Sequence, residues 1–115
     1  MKEKIICIQG DKGSGKTTKL IELADKYFCY LVVRDIQTAQ MVKKKAKEKG
    51  KNIPFPLTYG EFLDKDFYGK GIDYLIIDDI ETFLCWLADE IELKAFSIDT
   101  STVKIVDLNT LGDKP

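Results

Sequence analysis

Gly10-Asp11-Lys12-Gly13-Ser14-Gly15-Lys16-Thr17 decides how this chain is read. It satisfies the spacing G-x-x-x-x-G-K-[ST] at every fixed position. The six residues before it, KIICIQ at 4–9, are a short apolar run rich in isoleucine, which reads as a buried strand ending at Gly10. After it, from about Lys16 to Phe28, Leu20, Leu23, Ala24 and Tyr27 recur at i, i+3, i+4 and i+7, with Ile21 and Phe28 widening the stripe. Lys19, Glu22, Asp25 and Lys26 take the other side, so a helix with one sheet-facing side is expected. The context gives the loop its chemistry. Glycines let the backbone wrap until successive N–H groups point inward as a nest for phosphate oxygens. The helix N-terminus adds its dipole to the same place. Gly10, Asp11, Lys12, Gly13, Ser14, Gly15, Lys16, Thr17 and Thr18 are therefore the expected nucleotide-binding residues. Lys16 is expected to bridge the β- and γ-phosphates, and Thr17 to ligate Mg²⁺ through its hydroxyl. A chance glycine-rich turn is the blander alternative, and both flanks weigh against it.

Outward from the loop, apolar runs and amphipathic stretches alternate. CYLVV at 29–33 reads as a second buried strand, followed by a lysine-rich helix from about Gln37 to Lys49 that Gly50 stops. The narrow apolar side of that helix is Ala39, Val42 and Ala46. IPFPL at 53–57 is extended, and its two prolines keep any strand short or at an edge. Thr58-Tyr59-Gly60-Glu61 has the spacing of a capping box, so a brief helix starts there. DYLIID at 73–78 is the clearest buried strand. A helix from about Glu81 to Glu92 carries Ile80, Phe83, Leu84, Leu87, Ala88 and Ile91 on one side. Short strands at about 94–98 and 102–106 close the domain, and Asn109 to Pro115 reads as an unstructured tail. The expected fold is α/β: one domain over 1–108, a parallel sheet with helices on both faces. In such sheets ligands bind at the carboxyl ends of the strands.

Tyr74-Leu75-Ile76-Ile77-Asp78-Asp79 is the second informative stretch. Four apolar positions ending in an acid put that acid at the carboxyl end of a central strand, the pattern of a Walker B motif. By themselves two acids after a core strand are as readily a turn; beside the loop at 10–17 the pair gains meaning. Together the two motifs make the chain resemble P-loop NTPases of the RecA-like, additional-strand class, over about residues 4–107. A closer likeness is to the first motor domain of superfamily-one helicases, because Thr58-Tyr59-Gly60-Glu61-Phe62-Leu63 is similar to their threonine-aromatic segment before Walker B. Small phage-type ATPases share the layout. The resemblance implies ATP and Mg²⁺ as ligands. It implies that Asp78 holds the metal through water opposite Thr17, and that Lys16 and Asp79 are catalytic. Asp79 stands where many relatives carry a glutamate, one methylene longer. A sensor residue is expected beside Walker B, with Asp99, Thr100 and Ser101 as candidates; the same residues suit an ordinary turn. Glu81 is a back-up base or serves the first turn of the next helix.

Composition narrows the function. The chain has 115 residues, enough for one core and too few for two. Hydrophobic residues make up 44% and charged residues 32%, which excludes disorder throughout. Eighteen basic against nineteen acidic residues give a net charge of −1, which argues against a chain built mainly to coat nucleic acid. Histidine is absent, so histidine-based zinc sites and Ser-His-Asp or Cys-His catalysis are excluded. Cys7, Cys29 and Cys85 are odd in number and far apart; they read as buried free thiols of a reducing cytosol. Four consecutive apolar residues near the N-terminus are too few for a signal peptide or membrane span, so a cytoplasmic protein is expected. Arg34 is the single arginine. That is too few for a nucleoside or nucleotide kinase, which needs arginines around the transferred phosphate. The sequence holds no second motor domain and no arginine-rich late helicase motif, so a self-sufficient unwinding enzyme is not expected. An Mg²⁺-dependent ATPase, slow by itself and working in an assembly of nucleic-acid metabolism, is. A small kinase and a nucleotide-binding module with little turnover stay open as alternatives. Arg34 is expected to lie away from its own γ-phosphate, reaching a neighbouring subunit's site or pairing with Asp35. The run Lys43, Lys44, Lys45, Lys47, Lys49 and Lys51 is a solvated surface or a phosphate-backbone contact. Trp86 falls about 100° from the centre of its helix's apolar stripe, as a partly covered surface aromatic or a partner-facing anchor.

Overall fold

The computed structural model describes residues 4–64, 74–89 and 91–109. The elements are β1 (Ile5–Gln9), α1 (Lys16–Tyr27), β2 (Tyr30–Val33), α2 (Ile36–Glu48), β3 (Leu57–Thr58), α3 (Tyr59–Leu63), β4 (Leu75–Ile77), α4 (Ile80–Leu87) and β5 (Val103–Asp107). Local chemistry sets most of their ends. Phe28 at φ 45 closes α1 in the left-handed region. The Asp35 side chain accepts from the Thr38 amide at 2.8 Å and starts α2. At α3 the capping box is complete: Glu61 N–H donates to Thr58 Oγ1 at 3.1 Å, and Thr58 N–H to Glu61 Oε1 at 2.9 Å.

Every strand pairing is parallel. β2 lies between β3 and β4, with Val32 opposite both Leu57 and Ile77. β1 pairs with β5 from Ile5–Val103 to Gln9–Asp107. Alternate residues of β2 face opposite sides. Leu31 and Val33 pack with Ile21 and Ala24 of α1, Ala39, Val42 and Ala46 of α2, and Ile53. Val32 packs with Leu57, Tyr59 and Phe83 on the other side, under α3 and α4. Helices therefore cover both faces, and burying each large side chain such as Ile21 or Leu31 contributes about 1.5–3 kcal/mol.

The chain is thus an α/β domain with parallel strands, but where the sequence leads one to expect a single sheet, the described strands form a two-stranded and a three-stranded sheet. The strand expected at 94–98 does not form: residues 91–99 have no regular structure, and Phe96 is 70% exposed. Only Ala95, Phe96 and Ile98 are apolar in 94–98, with Ser97 between them, and a strand buried on both faces needs a continuous run. The strand expected at 53–57 shrinks to Leu57–Thr58, because Pro54 and Pro56 carry no N–H for a ladder. α4 stops at Leu87 rather than Glu92, since Asp89 turns left-handed at φ 59. Of the three thiols only Cys29 is buried; Cys7 and Cys85 are half-buried, and all three are free. Asn109 is held against the loop at 10–17 rather than loose. The remaining tail residues, 110–115, and the expected strand start at residue 73 lie outside the described residues. Among the described residues no helix is long and apolar enough to cross a membrane.

Candidate functional site

The loop between β1 and α1 is shaped by its glycines. Gly13 and Gly15 sit at φ 85 and 98, where a side chain brings strain. A Cβ on Gly10 would lie 2.3 Å from Ser14 Oγ and 3.0 Å from Ser14 Cβ, so a larger residue there makes the Ser14 side chain shift. Ser14 N–H donates to the Asp11 carbonyl at 3.0 Å and tightens the turn. Asp11 N–H donates to Asn109 Oδ1 at 2.8 Å, tying the loop to the residues after β5. Asp11 and Lys12 are exposed, while Thr17 and Thr18 are half-buried in the first turn of α1. α1 has no side-chain cap, so its first-turn amides keep their donors for a ligand. Ser14 Oγ is buried with no hydrogen-bond partner among the described residues. Lys16 folds back, its Nζ donating to the carbonyls of Gly10 at 2.7 Å and Asp11 at 3.0 Å. An ammonium at the loop mouth takes these acceptors when no phosphate offers better ones.

β4 delivers the acids to the same place. Asp78 N–H continues the ladder by donating to the Val32 carbonyl at 3.0 Å. The Thr17 hydroxyl donates to Asp78 Oδ2 at 3.4 Å across 61 residues of sequence. Burial pushes the Asp78 carboxyl above the usual carboxylate range, the Asp79 charge adds to this, and the Thr17 hydroxyl and Lys16 oppose it. Asp79 is exposed, at φ 56, and heads α4, where its carbonyl accepts from Phe83 N–H at 3.0 Å. Glu81 lies in the first turn of α4 and is exposed. Beneath both acids, the Tyr59 hydroxyl donates to the carbonyls of Asp78 at 3.2 Å and Asp79 at 3.4 Å. Tyr59 is 1% exposed, and burial first, then the Asp79 and Asp78 charges, push its pKa up to about 12. Its ring stands edge-on to Phe83 at 4.8 Å and tilted to Trp86 at 5.6 Å, so Trp86 is a partly covered surface aromatic.

Arg34 follows β2 and borders a cleft of about 80 Å³ with Thr38, Tyr59, Asp78, Asp79 and Thr82. Its Nε pairs with Asp35 at 3.2 Å. β1 is not a neighbour of β2, as expected, while β4 is, so Arg34 sits beside the two acids. Asp99, Thr100 and Ser101 are not brought to this site. The Asp99 carboxylate takes the Ser101 amide and hydroxyl at 2.9 and 2.7 Å, and the Asp99 carbonyl takes Thr102 N–H at 3.0 Å. Thr102 in turn accepts from Ile5 N–H, at the opposite end of β1 from the loop. In the lysine run, Lys43 Nζ donates to the Ile53 carbonyl at 2.5 Å and serves the fold. Sequence reasoning missed Tyr59 and Asn109. The capping box marked Tyr59 as the first helical residue, but its hydroxyl's partners lie 19 and 20 residues away.

Among the described residues no cluster of three or more His, Cys, Asp or Glu side chains could hold a metal. Thr17 Oγ1 and Asp78 Oδ2 are hard oxygen donors, and one carboxylate plus a hydroxyl and ligand phosphates suit Mg²⁺.

The chain matches no family model. No curated protein and no solved structure matches it significantly either.

Proposed function

We propose that this chain is a RecA-like P-loop NTPase that binds ATP with Mg²⁺ and hydrolyses it slowly alone, as a helicase-like component of nucleic-acid metabolism. The observation that carries the reading is the meeting of Thr17 and Asp78 at 3.4 Å beside a loop whose Gly13 and Gly15 sit at positive φ. The amides of residues 10–18, in the loop and the first turn of α1, bind the phosphates of the nucleotide. Lys16 leaves the Gly10 and Asp11 carbonyls for the β- and γ-phosphate oxygens. Thr17 and, through water, Asp78 would hold Mg²⁺, and the ion would supply charge neutralisation of the phosphates. Asp79 orients a water, and Tyr59 fixes the backbone that presents both acids.

A second reading, a nucleotide-binding module with little turnover, is favoured by one observation. Asp79 spends its backbone on α4 in a left-handed conformation and has a shorter reach than glutamate. Phosphate release by the parent, Asp78→Asn and Asp79→Asn separates the two. The ATPase reading expects Asp79→Asn to keep ATP binding and lose at least ten-fold in turnover, and Asp78→Asn to lose Mg²⁺-dependent binding. Equal phosphate release by parent and Asp79→Asn leaves the binding module; ADP formation that rises only with a nucleoside acceptor, without matching phosphate release, points to the kinase.

A further inference from the structure

The end of β1 away from the loop carries a second surface. Lys4 and Ile6 are two residues apart and share one face of β1. The register Ile6–Lys104 puts Lys104 on that face as well. Ile8, two residues further, packs against the core under α1, so this is the face α1 covers. The C-terminal end of α1 then supplies the other wall, Lys26 and Tyr27. These five side chains line an open groove of about 490 Å³. Lys26 Nζ lies 5.2 Å from the Tyr27 ring centre, and Tyr27 meets Tyr74 at 5.5 Å with the planes 52° apart. Tyr74 is 58% exposed. Among the described residues no carboxylate lines the groove and none of its three lysines is in an ion pair.

We propose that this groove binds single-stranded nucleic acid. Three ammonium groups that no carboxylate among the described residues neutralises select a polyanion. The exposed Tyr74 ring beside them, backed by the half-buried Tyr27, selects planar groups, and nucleic-acid bases offer their faces only when unpaired. The groove is open rather than enclosed, which suits a strand passing through it. It lies roughly 15 Å from the loop at 10–17, the length of β1, so it holds its ligand independently of ATP. The basic run on α2 is the poorer surface: Lys43 is taken by the Ile53 carbonyl, and the others spread around the helix.

The test is fluorescence anisotropy of a labelled oligothymidylate with the full chain, without nucleotide, over a salt series. Three neutralised phosphates give a log–log slope near −2 for a single strand, roughly a twenty-fold loss of affinity over a fourfold rise in salt. The triple change Lys4→Gln, Lys26→Gln, Lys104→Gln flattens the slope, and Tyr74→Ala weakens binding ~5–100-fold while Tyr74→Phe restores it. Lys44→Gln with Lys47→Gln on α2 leaves affinity within about two-fold. The proposal is overturned by no binding at low salt, by parent-like binding of the triple variant, or by loss of binding in the α2 variant. An abasic strand bound as tightly as the thymidylate contradicts the stacking role. Polyglutamate held equally well by the same side chains reassigns the groove to an acidic protein partner.

Discussion

Asp78 is held in a place that its own charge opposes. Its folded-state pKa is raised, so folding disfavours the ionised form. The penalty is absent below the unfolded pKa, grows as pH rises from the unfolded toward the folded value, and is complete above the folded value. Asp78→Asn should therefore stabilise the nucleotide-free protein at neutral pH, on the order of 1 kcal/mol, as replacements at strained functional sites do. The gain should shrink as pH falls toward the ordinary aspartate value of about 4 and vanish below it, where the carboxyl is protonated in the folded and unfolded chain alike. Melting curves at the two pH values check this, and a destabilised variant at neutral pH contradicts it. Tyr59→Phe removes the two carbonyl contacts and keeps the ring packing. It should cost about 0.5–1.5 kcal/mol of stability and lower turnover more than nucleotide affinity; a loss confined to affinity is the opposing result. The loop residues were legible because their chemistry is local and the spacing is fixed. Tyr59 and Asn109 were not, because their partners are set by strand order.

At the scale of elements, helices were read more surely than strands. α1 and α2 follow a 3.6-residue stripe, and α3 follows a four-residue capping box, all within one window of sequence. Thr58→Ala removes one half of that box and should cost about 1 kcal/mol, measured by denaturant unfolding. A change below the error of that measurement would mean α3 is held by Tyr59 and Phe62 packing alone. The 94–98 segment was misread because Ala95, Phe96 and Ile98 suit a strand while Ser97 breaks the run. The end of α4 was misread because nothing in the local pattern at Asp89 announces a left-handed turn. Pairing of β1 with β5 spans nearly the whole chain, and its register places Asn109 beside Asp11. No single-window pattern carries that.

At the scale of the molecule, parallel strands, helices on both faces and a loop at the carboxyl end of β1 set one site, with Arg34 beside it but paired to Asp35. An arginine finger contributes ~10³–10⁵ in rate, so an isolated chain whose one arginine is occupied should hydrolyse ATP slowly. If Arg34 serves a neighbouring copy, turnover per chain rises with protein concentration and Arg34→Ala erases the rise. Fast hydrolysis by a demonstrated monomer, unchanged in Arg34→Ala, contradicts this. The central claim is that the loop 10–17 and Asp78 form one Mg²⁺–ATP site. Calorimetric titration of ATP into the full chain and into folded Lys16→Ala, each with Mg²⁺ and with a chelator, tests it most directly. The account predicts saturable one-to-one binding that weakens at least ten-fold without Mg²⁺ and again in Lys16→Ala. Equal affinity in the two proteins, or no binding by the parent, contradicts it.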